Sequence, residues 1–87
     1  MKNLERTMKA FANRRRLAIL AHIKKHHKAK VGDIARSIDL SFAATSRHLG
    51  VLAAADIVER EQIGLEMWYR FDGNLPRAAE RIIALLE

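Results

Sequence analysis

A chain of 87 residues, 49% of them hydrophobic and 30% charged, is sized for a single domain with one compact core and is too apolar to be disordered. It has no cysteine, which excludes a disulfide framework, a thiolate metal site and a cysteine nucleophile. The net charge of +6 is unevenly spread: residues 1–50 carry twelve Lys or Arg against three acids, residues 51–87 four Arg against seven, so a polyanion would dock on the first half.

That balance favours nucleic acid over an acidic small molecule, although a membrane surface attracts the same charge. The N-terminal stretch MKNLERTMKAFANRRR interrupts its apolar residues with charges every few positions, unlike a secretory leader or a membrane span. The expectation is a soluble cytoplasmic protein with no membrane partner. Residues 1–87 read as one domain. So small a domain buries a modest share of its surface, which favours pairing with a second copy.

Taken in chain order, Leu4, Met8 and Phe11 recur at helical spacing and predict a short first helix with one apolar stripe. Asn13 is a plausible N-cap for a second helix, whose Leu17, Ile19, Leu20, Ala21 and Ile23 make a face broad enough for a central, mostly buried element. The polar KKHHKAK that follows reads as the helix end, where cations complement the helix dipole. VGDIARSI predicts a third, short helix with Ile34, Ala35 and Ile38 inward and Asp33 in its first turn. Asp39 and Leu40 form a tight connection, and Ser41 caps a fourth helix, residues 41–54, with an inward stripe of Thr45, Leu49 and Leu52. Two short helices so joined make a helix-turn-helix.

After Asp56 the period changes from helical to alternating. Val58, Arg60 and Gln62 share one side, Ile57, Glu59 and Glu61 the other; Met67, Tyr69 and Phe71 then alternate with Trp68 and Arg70. Gly64 supplies the positive φ of a hairpin tip. Pro76, in a first turn, opens a last helix with Leu75, Ala79, Ile82 and Leu86 on one face. The fold class is therefore mostly α with a small β-hairpin: a winged helix-turn-helix of order helix, helix, helix, helix, hairpin, helix. Its amphipathic first and last helices are the natural dimer surface.

Three segments are similar to the ArsR-type winged-helix repressors. ANRRRLAIL resembles that family's ADPTRLRIL; VGDIARSIDLSFAATSRHLGVLAAADIV resembles VGELAEALGLSQSTVSRHLKVLREAGLV; LEMWYRF resembles RWVYYRL. The resemblance implies a homodimeric transcriptional repressor of double-stranded DNA, with the fourth helix in the major groove, the hairpin as a wing over the backbone, and the first and last helices at the dimer interface. It carries the reading positions onto Ser41, Phe42, Ala43, Ser46, Arg47 and His48. The family's helix-three metal motif, ELCVCDL, would place its cysteines at Lys30 and Gly32, and the last helix has neither His nor Asp, so no metal or other cofactor is expected.

Arg47 offers a donor fork for guanine O6 and N7 or for a phosphate, and Ser46 is one of the few polar side chains on the outward face. His48 either joins them or hydrogen-bonds within the fold. Phe42 and Ala43 can touch a thymine methyl but cannot separate guanine from adenine; alternatively Phe42 folds back on the domain or packs on a neighbouring chain. Gly50 stands where the family has lysine and costs the helix about 1 kcal/mol relative to alanine. In the wing, Leu65, Glu66, Glu59 and Glu61 are unfavourable against phosphate, so either Arg60 alone anchors it or it serves mainly as sheet. Among the basic residues of the first half, Arg16 is expected to pair inside the domain, and Lys28 and Lys30, just before the helix-turn-helix, are the phosphate candidates.

Two other readings stand beside DNA binding. A winged-helix module for protein contact would dock through Phe42, Leu65 and the acidic wing. A metal-responsive regulator would use His22 and His26, which share a helix face, with His27 nearby; two ligands on one face fall short of the four that a closed zinc site needs. No catalytic arrangement is present. Ser41, Thr45, Ser46 and His48 lie on one helix pointing in different directions, and the acids are scattered.

Overall fold

Asn13 and Ser41, the two side chains expected to start helices, both do so in the computed structural model, which describes residues 2–87. Asn13 Oδ1 accepts from the Arg16 N–H at 3.1 Å and opens α2 (Arg14–His26); Ser41 Oγ accepts from the Ala44 N–H at 3.1 Å and opens α4 (Phe42–Ala54). The other elements are α1 (Lys2–Phe11), β1 (Lys28–Lys30), α3 (Val31–Ile38), β2 (Val58–Ile63), β3 (Glu66–Phe71) and α5 (Arg77–Leu85). Among the described residues no helix is long and apolar enough to cross a membrane.

The turn between α3 and α4 works because Asp39 accepts a left-handed backbone, φ 56°, which short polar side chains tolerate better than branched ones. The Leu40 N–H then reaches back to the Ala35 carbonyl at 3.0 Å. The end of α4 repeats the device: Asp56 has φ 60° and the Ile57 N–H bonds the Leu52 carbonyl at 3.0 Å. Ile19, Leu20 and Ile23 of α2, Ile34 of α3, Leu49 and Leu52 of α4, and Ile57 just before β2 are fully buried and form the centre of the core. Thr45 is buried with them, and its hydroxyl donates to the Ser41 carbonyl at 2.8 Å, so burial leaves no polar atom orphaned there.

Three details depart from the pattern read in the sequence. KKHHKAK ends a helix only as far as His26: His27 breaks it at φ 71°, and Lys28–Lys30 pairs antiparallel with β3, giving a three-stranded sheet of order β1-β3-β2 instead of a lone hairpin. Only Ala29 of that strand is buried, too little apolar signal for a period to show. In α1 the expected stripe docks only at its last turn: Phe11 is buried, together with Thr7 and Ala10, whereas Leu4 and Met8 stay 42% and 57% exposed. Pro76 stands one residue before α5 and not within its first turn, and Ile83 with Ala79, not Ile82, takes the buried positions.

Basic side chains hold the termini of helices, Lys24 and Arg15 among them. Lys24 Nζ donates to the carbonyls of Ile83 and Leu86 at 2.9 and 2.6 Å, closing the end of α5 on α2. Arg15 Nη1 reaches the Ile38 carbonyl at 3.3 Å at the end of α3. Both place a cation where the helix dipole is negative and the last carbonyls lack partners.

Candidate nucleic-acid interface

The buried stripe of Thr45, Leu49 and Leu52 turns the opposite side of α4 to solvent, and that side carries Phe42, Ala43, Arg47, Gly50, Val51 and Ala54. Phe42 is 62% exposed, so it does not fold back on its own domain. Arg47 is exposed and takes part in none of the ion pairs found among the described residues, which leaves its donor fork available. Ser46 is half-buried at the edge of this face.

His48 is turned the other way. Its Nδ1 lies 3.3 Å from Arg16 Nη1, and burial together with Arg16, Arg47 and Arg15 holds its pKa below the usual histidine value. Arg16 in turn donates from Nε to the Ala10 carbonyl at 2.6 Å and from Nη2 to the Lys9 carbonyl at 3.1 Å. The expectation that Arg16 pairs inside the domain is met, and its partner is one of the residues considered for reading. Separated by 32 positions, the two carried no local signal of their meeting.

The hairpin turns at Gly64, φ 64°, and its antiparallel register sorts the charges by face. Glu59 lies opposite Arg70 and Glu61 opposite Trp68, on the face where β1 adds Lys28 opposite Arg70 and Lys30 opposite Trp68. Arg70 pairs with Glu59 at 3.1 Å and Glu61 at 3.7 Å, and Lys30 with Glu66 at 2.9 Å. Lys30 is held above the usual lysine range first by its hydrogen bond to Glu66 and then by that carboxylate's charge. The carboxylates that made the wing look hostile to phosphate are thus matched by cations on their own face. Arg60 and Gln62 occupy the other face with Met67, and Met67 lines a cleft with Phe42, Val31, Lys30 and Glu66 beside the start of α4, so the paired Lys30 reaches the edge of that cleft. Leu65 is fully exposed at the tip.

Apart from His48, the sequence candidates therefore fall into three groups. Ser41, Phe42, Ala43, Ser46 and Arg47 lie on or beside the outward side of α4, and Arg60 lies on the Met67 face of the wing, joined by Gln62, which the alternation alone had placed beside it without a role. Lys28 and Lys30 lie on the opposite face of the sheet, where each ammonium stands 5.5 Å from the centre of the Trp68 ring and Lys30 is already paired. Lys28 is the more exposed of the two. His22 and His26 stack with ring centres 4.3 Å apart, His22 Nδ1 lies 3.0 Å from the Ser37 hydroxyl, and among the described residues no three His, Asp or Glu side chains converge as metal ligands would.

Gly50 lies in the exposed part of α4, and a Cβ there would meet nothing within 4 Å. Gly50→Ala is therefore expected to stabilise the domain by about 1 kcal/mol, a rise in melting temperature of roughly 4–8 °C. Thermal unfolding followed by circular dichroism measures it; no rise would mean that the glycine relieves a strain which the helix does not display.

Residues 13–60 match the family described as bacterial regulatory protein, arsR family. Among solved structures, the chain is similar to the transcriptional repressor PagR of Bacillus anthracis, at 27% identity over 99% of this chain and 94% of that one, TM-score 0.83. It is similar at 30% identity, over 97% and 74% of the two chains with TM-score 0.84, to a homodimeric winged helix-turn-helix DNA-binding domain from Mycobacterium bovis, a possible ArsR-family transcriptional regulator. HlyU from Vibrio cholerae is 27% identical over 98% of this chain and 88% of that one, TM-score 0.84. No curated protein matches the chain.

Proposed function

The chain belongs to the arsR family of bacterial regulatory proteins, and from that premise we infer that it is a DNA-binding transcriptional repressor working as a homodimer in the cytoplasm. Family and fold are those of DNA-binding regulators and not of enzymes. Each copy lays α4 in a major groove, with Arg47 as the principal polar contact and Ser41, Phe42, Ala43 and Ser46 beside it. Arg60 and the wing tip reach the adjoining backbone, and Lys28 adds a more distant phosphate contact. The observation that carries this reading is the outward side of α4: an exposed Arg47, in no ion pair among the described residues, presented on a helix whose opposite stripe is locked in the core.

The dimer uses α1 and α5, which pack on each other and leave Leu4, Met8 and Leu85 exposed at 42%, 57% and 80%. Three large apolar side chains on two adjacent terminal helices of so small a domain are surface that a second copy can cover. Two copies related by a twofold axis then read an inverted repeat.

Selection of bound duplexes from a random pool tests the reading. The enriched sequences are expected to contain two half-sites about one helical turn, roughly 10 base pairs, apart. Affinity should fall steeply with salt, by roughly a thousandfold between about 50 and about 200 mM for a protein that neutralises about six phosphates. Recovery of no duplex above background, with no salt dependence, would sink the proposal.

A further inference from the structure

The contact between Arg16 and His48 joins the end of α1, on the proposed dimer face, to α4, the proposed reading helix. Arg16 closes the last turn of α1 through the Lys9 and Ala10 carbonyls and meets His48 Nδ1 with the remaining arm of its guanidinium. A guanidinium has only donors, so the contact requires a lone pair on Nδ1, which means a neutral ring with its proton on Nε2. We propose that His48 is a positioning residue and not a DNA contact: its neutral ring holds α4 in place against α1 through Arg16, and proton uptake by the ring releases the helix and lowers sequence discrimination. The proposal rests on the reading of α4 as the DNA-binding element.

The surroundings of the ring are cationic. Burial acts first on its pKa, Arg16 and Arg15 face it from α2 and Arg47 from its own helix, and among the described residues no carboxylate offsets them. On α1, Lys9 shares Arg16 through its backbone carbonyl, and Glu5 is turned to the Lys9 ammonium at 3.9 Å. A proton on His48 would therefore lose the Arg16 bond and add a further positive charge to a group already crowded with them. Because the native pKa lies below the ordinary value near 6.5, the unfolded chain takes up the proton first. The stability that His48 supplies is fully present above that ordinary value and declines as pH falls below it toward the native pKa.

An added cation by itself strengthens non-specific attraction to DNA, so the informative quantity is the ratio of affinities for a selected duplex and its scrambled version. With the full-length dimer at fixed salt, that ratio is expected to fall about tenfold between about pH 8 and about pH 5.5. In His48→Asn an amide oxygen can accept from Arg16 and cannot titrate, so the ratio should stay high at both pH values. In His48→Ala it should be low at both. Without DNA, the loss of urea resistance on acidification should be smaller in His48→Asn than in the parent; His22, whose pKa burial and His26 also lower, contributes equally to both proteins.

A parent ratio indifferent to pH overturns the proposal. So does equal acid sensitivity of the parent and His48→Asn without DNA. It also fails if His48→Asn and His48→Ala bind alike, each with a salt slope reduced by about one per copy, since His48 would then be a phosphate contact. A parent that prefers no duplex at about pH 8 fails the DNA reading instead, while the DNA-free comparison still decides whether His48 and Arg16 are coupled.

Discussion

Leu49→Ala is expected to destabilise the domain by about 3 kcal/mol and to lower its melting temperature by roughly 15 °C. Leu49 is fully buried on the inward stripe of α4, in the same core as Leu20, Ile34 and Ile57. Removing its branched end forfeits the transfer of those methyl groups out of water and leaves a cavity that a sheet on one side and helices on the other cannot close. A domain of this size has a total stability of only about 4–13 kcal/mol, so the loss is a large share of the whole. DNA binding should fail at growth temperature although Leu49 lies on the side of α4 away from Arg47, because this stripe anchors the inner side of the helix. Val51→Ala is the control: 45% exposed, it should cost within about 0.5 kcal/mol. Urea titrations of the two variants separate the cases, and equal midpoints would contradict the burial assigned to Leu49.

Arg47→Ala should leave stability nearly unchanged, since the side chain is exposed and makes no ion pair among the described residues. Its effect on DNA is expected to be large. A bidentate arginine contact is worth about 1–3 kcal/mol, and a homodimer loses it twice, so affinity for the selected duplex should drop by roughly a hundredfold or more. The pattern of the loss assigns the contact. If Arg47 reads guanine, discrimination relaxes at one position of each half-site; if it clamps a phosphate, all sequences weaken together and the salt slope falls by about one per copy. Binding at parental strength would remove α4 from the interface.

The apolar remainder of the outward side bears on how such a protein distinguishes sequences. Phe42 and Ala43 can follow thymine methyl groups but offer no hydrogen bonds, and Gly50 offers no side chain at all. On the proposed reading, discrimination would fall on Arg47, on the spacing of the two half-sites and on the deformability of the DNA between them. The matched charges of the wing are compatible with that reading, because Arg70 and Lys30 neutralise carboxylates that would repel a DNA backbone laid beside them.

Much of this architecture is legible along the chain because its determinants are local. Asn13 and Ser41 satisfy N–H groups three residues on; Thr45, Leu49 and Leu52 fall on one stripe by helical period alone; Gly64 supplies the positive φ of the hairpin. A cap, a period and a turn each act within a few residues, so the sequence by itself determined the helix-turn-helix, the hairpin and the outward position of Arg47. What only the tertiary structure decided depends on residues far apart in the chain. Lys28–Lys30 becomes a strand because β3 offers an open edge, and its own three residues carry no period. Lys24 closes the end of α5, Lys30 meets Glu66, and Arg16 meets His48, each pair set by packing that brings distant segments together. A long cationic side chain reaches whatever acceptor the fold sets within a few ångströms of it, and that acceptor leaves no mark on the sequence around the cation.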